Sequence, residues 1–280
     1  MSIVVSASRR TDLAASFPDI LAGALREEKA RVHGPAGRAY DVDLRPENVH
    51  TLVLWSKDFA NYLADRSGLR GLTAKYEQVY FHITITGLGG TFLEKGVPLP
   101  DEALAQIPGL AAAAGSPARV SVRFDPVVFW RDGGKLLTNL PFFDRLAPRV
   151  AAAGIEDVRV SFAQWYGKAK RRAEKGGFEF VDPDESEKRA RALEMAATAA
   201  KRGLSLHACA QAFLAAVPGF KPSSCIDGRR LRELHPRHEA LSIRKDRTQR
   251  PECLCTESKD IGSYTLSCPH GCIYCYANPK

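Results

Sequence analysis

The sequence predicts an α/β fold: a partial, six-stranded parallel β/α barrel of TIM-like type, followed by a cysteine-rich segment. Three observations lead there. Six apolar or alternating stretches of strand length recur before Phe220. Helical patterns between them are long enough for crossovers, which implies a parallel sheet. Beyond Phe220 the periodicity fades into a Pro- and Arg-rich tail carrying six of the seven cysteines. The expected organisation is a barrel over 1–220 and a cysteine-rich segment over 221–280 covering its mouth.

The predicted strands are Ile3–Ala7, Thr51–Ser56, Val79–Thr86, Arg119–Phe124, Asp157–Phe162 and Leu204–Cys209. Ser16 opens a helix through Leu25 with Pro18 in its first turn, where a missing N–H does no harm. Asp101 opens a second, expected to break at Pro108, and Asn139 to Ala153 forms a third. Pro183 to Arg202 is the clearest, with acids in the first turn and Gly203 just beyond. There are no internal repeats, and Ala111–Ala114 reads as a helix end.

Strand faces carry the functional signal. Val79, Phe81, Ile83 and Ile85 share one face; Tyr80, His82, Thr84 and Thr86 share the other. Val120, Val122 and Phe124 oppose Ser121, Arg123 and Asp125, and Leu204, Leu206 and Ala208 oppose Ser205, His207 and Cys209. Doubly buried parallel strands read as continuous apolar runs, and closed barrels fill their interior with Val, Ile and Leu. Five of the six strands here have one polar face. That fits a polar lumen with room for cofactor and substrate, or an open sheet with one wet face.

Polar residues cluster at the carboxyl ends of strands, as in Ser8-Arg9-Arg10-Thr11-Asp12, Ser56-Lys57-Asp58, Arg123-Phe124-Asp125 and Gln164-Trp165-Tyr166. Barrels place their chemistry there. Arg10, Asp12, His82, Arg123, Asp125 and His207 are the candidate catalytic or substrate-facing residues, with Ser121 and Thr84 as further lining groups. Asp12 also suits a helix cap, Asp125 a turn before Pro126, and Trp165 the core. An arginine facing a lumen calls for an anionic partner.

Composition narrows the class. No apolar run approaches the roughly 18 residues of a membrane span, and the start is too quickly charged for a signal peptide. A cytoplasmic protein is expected. Seven cysteines in a reducing compartment point to metal before disulfides. The net charge of +8 is uneven, concentrated at Lys168–Lys175 and over 229–252. Such runs attract nucleic acid or other anions, but they are also ordinary solvated surface and lack interleaved aromatics.

The last stretch is the most specific. Cys268-Pro-His-Gly-Cys272-Ile-Tyr-Cys275 places three cysteines at C-x3-C-x2-C with Tyr274 before the third. Three thiolates on one loop hold three irons of a 4Fe–4S cluster and leave the fourth without a protein ligand. The bland reading is half of a zinc site. Cys209, Cys225, Cys253 and Cys255 remain, enough for a second, fully ligated 4Fe–4S cluster, for zinc, or for buried thiols.

Ser-Ala-Ser-Arg-Arg-Thr-Asp at 6–12, Arg-Phe-Asp-Pro at 123–126, Cys-Ile-Asp-Gly at 225–228 and the closing Cys-Pro-His-Gly-Cys-Ile-Tyr-Cys-Tyr-Ala-Asn resemble a bacterial and archaeal domain-of-unknown-function family over essentially the whole chain. The cysteine spacing with its aromatic resembles radical S-adenosylmethionine (SAM) enzymes, and the Cys-Tyr continuation resembles spore photoproduct lyase. In radical SAM enzymes the cluster loop follows the first barrel strand; here it closes the sequence, as in a circular permutation. Their Gly-Gly-Glu segment has no counterpart at the expected place.

The resemblance implies reductive cleavage of SAM to start radical chemistry on a small-molecule or peptide substrate. An electron donor such as a flavodoxin or ferredoxin is implied as partner. Cys268, Cys272 and Cys275 would hold the cluster, Tyr274 support adenine, and Arg10 or Arg123 pair with the SAM carboxylate. Two other readings stay open: a zinc-stabilised nucleic-acid-binding module, and an iron–sulfur lyase acting on nucleic acid.

Overall fold

The computed structural model describes residues 2–33, 39–277 and 279; Met1, Asn278 and Lys280, at the ends of the expected segments, lie outside them. Thirteen strands are present among the described residues: β1 Ile3–Ala7, β2 Lys29–His33, β3 Ala39–Asp43, β4 Val49–Ser56, β5 Val79–Thr84, β6 Val120–Val127, β7 Phe129–Asp132, β8 Lys135–Thr138, β9 Asp157–Phe162, β10 Glu179–Val181, β11 Ser205–Cys209, β12 Phe220–Ser223 and β13 Lys259–Asp260.

Eight of them form one parallel sheet in the order β12-β11-β9-β6-β5-β4-β1-β13. The first seven in chain order are neighbours, as crossovers between successive strands produce. The eighth, β13, returns from the tail to the outer edge of β1. The sheet is open: among the described residues β12 and β13 are its two ends, and no closed barrel forms.

All six predicted strands are found, but the sheet has eight. β12 was hidden by Pro222, which is tolerated on an edge strand, where no outward N–H is needed. The antiparallel pair β2–β3 and the small sheet β10-β7-β8 were also missed. The β7–β8 turn is Gly133-Gly134, both at positive φ, as a two-residue type I′ hairpin requires. The helix Pro100–Ala113 does not break at Pro108 but runs through it. Burial of Leu104, Ile107 and Leu110 against the core, about 1.5–3 kcal/mol for each fully buried side chain, offsets the roughly 3 kcal/mol that an interior proline costs.

One face of the sheet, including Val5, Leu54, Phe81, Val122, Val160 and Leu206, packs under the helices in a single core. The other is covered by the tail: Cys225, Ile226, Leu231, Leu241 and Cys255 sit on Val4, Val53, Trp55 and Tyr80. The face expected to line an open lumen is therefore largely filled. Its polar groups bond to one another and to the tail. Arg159 reaches Asp157 at 2.9 Å, Ser121 at 2.9 Å and Ser223 at 2.6 Å, and also donates to the Ser224 carbonyl. His82 Nε2 donates to the Cys225 carbonyl at 2.8 Å, and Gln78 to that of Leu231 at 2.9 Å. Buried polar groups need such partners.

Candidate functional site

Beyond this polar layer, at the carboxyl ends of the strands, lies a cavity of about 290 Å³. All seven cysteines line it. The loop 268–275 reaches it by docking on the connection that follows β5. Ile273 N–H bonds to the Leu93 carbonyl at 3.1 Å and Gly96 N–H to the His270 carbonyl at 3.1 Å. The approach is close enough that a Cβ on Gly96 would collide with the Pro269 oxygen.

Asp12 ties this loop to the sheet. Its Oδ1 caps the helix Leu13–Ser16 through Ala15 N–H, while Oδ2 accepts from Ser56 Oγ at 2.9 Å, Lys57 N–H at 2.9 Å and His270 Nε2 at 2.8 Å. The other His270 nitrogen, Nδ1, donates to the Gly96 carbonyl at 2.8 Å. Burial opposes the charge on His270, but Asp12 outweighs it and the pKa rises. Both ring nitrogens are engaged, so the loop presents three sulfurs and no fourth donor.

Beside the thiols runs a buried charged chain. Lys57 Nζ pairs with Glu94 Oε1 at 2.9 Å, and Glu94 also accepts from Thr86 Oγ1 at 2.7 Å and from the Tyr274 hydroxyl. Burial lowers the Lys57 pKa, but Glu94 and the Cys272 and Cys275 thiols outweigh it, so Lys57 stays cationic. Arg172 donates to the carbonyls of Ile273, at 3.1 Å, and Cys275. Burial pushes all three loop thiols up, Cys272 furthest. Metal binding would displace those protons.

The other four cysteines form a second group. Cys209 and Cys225 Sγ atoms are 3.5 Å apart, and Cys225 and Cys255 share a buried cluster against which Cys209 and Cys253 pack. Arg123 Nη1 donates to Cys225 Sγ at 3.3 Å, and Ile226 N–H to Cys255 Sγ at 3.4 Å. Hydrogen bonds from Cys209 and Cys255, aided by Arg123, hold Cys225 well below the usual thiol range. Bonding to Cys255 brings Cys253 down to about 6. Among the described residues no three His, Cys, Asp or Glu groups close around a single metal ion.

Residues 4–277 match the family described as Domain of unknown function (DUF1848). The chain belongs to this family. No curated protein matches it. Among the described residues no helix is long and apolar enough to cross a membrane.

Of the predicted site residues, Arg10, Asp12, Thr84, Arg123, Asp125 and Tyr274 line the cavity with the cysteines. Arg10 lies over the Tyr264 ring at 5.1 Å, and its Nη1 reaches the Gly262 carbonyl at 3.4 Å. Arg123 pairs with Asp125, which also accepts from Ser161, and sits 5.0 Å from the Trp55 ring centre. Three expected residues are not in the lining. His82 is fully buried, stacked on Trp55 with centroids 4.2 Å apart, and Ser121 belongs to the Asp157–Arg159 network. His207 lies beside Arg159 in the strand register, behind the cavity. The alternation rule gave each its face correctly but not its depth along the strand.

Lys57, Glu94, His270 and Arg172 were missed as site residues. His270 had a signal, since it stands between the first two loop cysteines. Lys57 had another, in the polar cluster after β4. Glu94 had none: it lies in an irregular connection, and its partners are distant in sequence.

Proposed function

We propose that the chain is an iron–sulfur enzyme of radical SAM type, with a 4Fe–4S cluster held by Cys268, Cys272 and Cys275. The observation that carries this reading is a loop with three sulfurs on the cavity and its one histidine already engaged on both nitrogens. That donor set fits a cluster with one iron left open. Lys57 and Arg172 supply positive charge next to the thiolates, as an anionic centre needs. We read the open sheet as a partial β/α barrel with its loop order permuted, since seven strands follow one another in chain order.

A reduced cluster at Cys268, Cys272 and Cys275 would supply SAM with the one electron that breaks the C5′–S bond into methionine and a 5′-deoxyadenosyl radical, the electron coming from a donor of flavodoxin or ferredoxin type. The chain's own residues bind, orient and exclude water. Arg10 or Arg123, both on the cavity wall, would pair with the SAM carboxylate. The Tyr274 hydroxyl is fixed by Glu94, which holds the ring in one orientation for adenine. Asp125 and Thr84 are the remaining predicted groups that face substrate. His82, Ser121 and His207 drop out of that role because they do not reach the cavity.

The test is anaerobic purification with iron and sulfide counting, followed by dithionite and SAM. Brown protein that bleaches on reduction and releases 5′-deoxyadenosine, with release lost in Cys272→Ala, is the expected result. Colourless protein with zinc, no SAM affinity and salt-dependent nucleic-acid binding would overturn the reading.

A further inference from the structure

The second cysteine group stands apart from the loop in sequence and in its supports. Cys209 ends β11, Cys225 follows β12, and Cys253 and Cys255 arrive on the tail. We propose that these four thiols ligate a metal centre of their own, a thiolate-held transition metal, on the same cavity as the loop.

Four free thiols from three chain segments converge on one wall. Cys225 and Cys255 lie in one buried cluster with Cys209 and Cys253 packed against it, and the Cys209 and Cys225 sulfurs touch. The 3.5 Å between Cys209 and Cys225 sulfurs is far beyond the roughly 2.05 Å of a disulfide. That one pair is close to the sulfur spacing around a tetrahedral metal with bonds of about 2.3 Å; bringing the other two sulfurs onto the same ion takes a change of side-chain rotamer, since no three donors among the described residues close around one ion. The sulfurs also have the outer partners that bound thiolates use. Arg123 donates to Cys225 and the Ile226 N–H to Cys255. N–H donors of this kind orient sulfur ligands and tune the metal they hold. Arg123, with Arg9 near Cys255, offsets the negative charge of a four-thiolate centre. Uncompensated, that charge would be costly on a wall where Cys225 and Cys255 are buried.

Zinc and an iron–sulfur cluster share this chemistry, and metal analysis separates them. The full chain, purified anaerobically, is compared with Cys268→Ser/Cys272→Ser/Cys275→Ser and with Cys253→Ser/Cys255→Ser for iron, sulfide and zinc. The loop variant is expected to keep a metal share, either iron with sulfide or one zinc per chain. The tail variant is expected to lose that same share. A folded loop variant without metal, or a tail variant with the wild-type load, overturns the proposal. Loss confined to the loop variant's own share concerns the SAM reading alone. If the loop variant does not fold, alkylation of the wild-type chain decides. Cys209 and Cys253 should be protected until a chelator is added, and equal labelling with and without chelator overturns the second centre.

Discussion

The two cysteine groups reach one cavity by opposite routes. The trio is written into eight consecutive residues, 268 to 275, and the fold has only to seat that loop. It does so with main-chain bonds to Leu93 and Gly96 and with the Asp12–His270 pair. The quartet exists only once β11, β12 and the tail are together. Cys209 pairs in register with Ser223, and this brings Cys225 to it. The trio thus depends on a docking contact, while the quartet depends on the buried polar layer that fastens the tail to the sheet. Local ligands need an anchor, and dispersed ligands need the fold itself.

The largest way to break the quartet side is Arg159→Met. Arg159 and Asp157 are both buried, and Arg159 also bonds Ser223 and the Ser224 carbonyl just before Cys225. Its removal leaves the buried Asp157 carboxylate with the Ser121 hydroxyl and only the more distant Arg230, 3.7 Å away, so the loss falls toward the lower end of the about 3–5 kcal/mol for a broken buried pair. Urea unfolding should show a correspondingly lower midpoint, and adding Asp157→Leu should recover much of it. A loss below about 1 kcal/mol would show that the polar layer does not hold the tail.

The trio side breaks more gently, at Gly96→Ala. The new Cβ would press on the Pro269 oxygen and on His270 Cα, 3.0 Å away. Overpacking of this kind costs about 1–3 kcal/mol. The effect should be local, with faster amide exchange at Ile273, whose N–H bonds Leu93. Gly23→Ala is the control: it lies in the helix Pro18–Arg26 with nothing within 4 Å of the added Cβ. Unchanged Ile273 exchange in Gly96→Ala would mean the loop is seated by something else.

The same contrast explains what could be read in advance. The six strands were visible because alternation is a property of neighbours in sequence. The trio was visible for the same reason. Alternation also gave the polar face of Tyr80, His82 and Ser121, but it says nothing about what lies over that face. An open lumen was the natural reading, and only the path of the tail after Phe220 fills it. β13 is two residues long and is a strand only because β1 lies beside it. Lys57 and Glu94 are 37 residues apart, and their pairing follows from the docking of two loops. The quartet could be counted from the sequence but not assembled from it.

Acid should separate the two regions further. His50 and His235 meet in a tilted pair across the seam between β4 and the tail, centroids 4.4 Å apart, and burial lowers the pKa of each. Burial takes His82, bonded to the Cys225 carbonyl, down to about 3. All three are neutral in the fold but protonate near 6.5 when unfolded, so the unfolded chain binds more protons in acid. Their contribution is present above about pH 6.5 and is lost as pH falls, for His82 down to about pH 3. The slope reaches about 1.4 kcal/mol per pH unit for each group. His270 has the opposite sign: its pKa is raised, so its contribution is complete below about pH 6.5 and fades as pH rises. Between about pH 7 and pH 5, urea midpoints should therefore fall, less steeply in His50→Gln/His235→Gln. Amides over 226–235 should open before those over 268–275, once intrinsic exchange rates are corrected. A flat profile, or a loop that opens first, would place the acid-sensitive contact on the trio side.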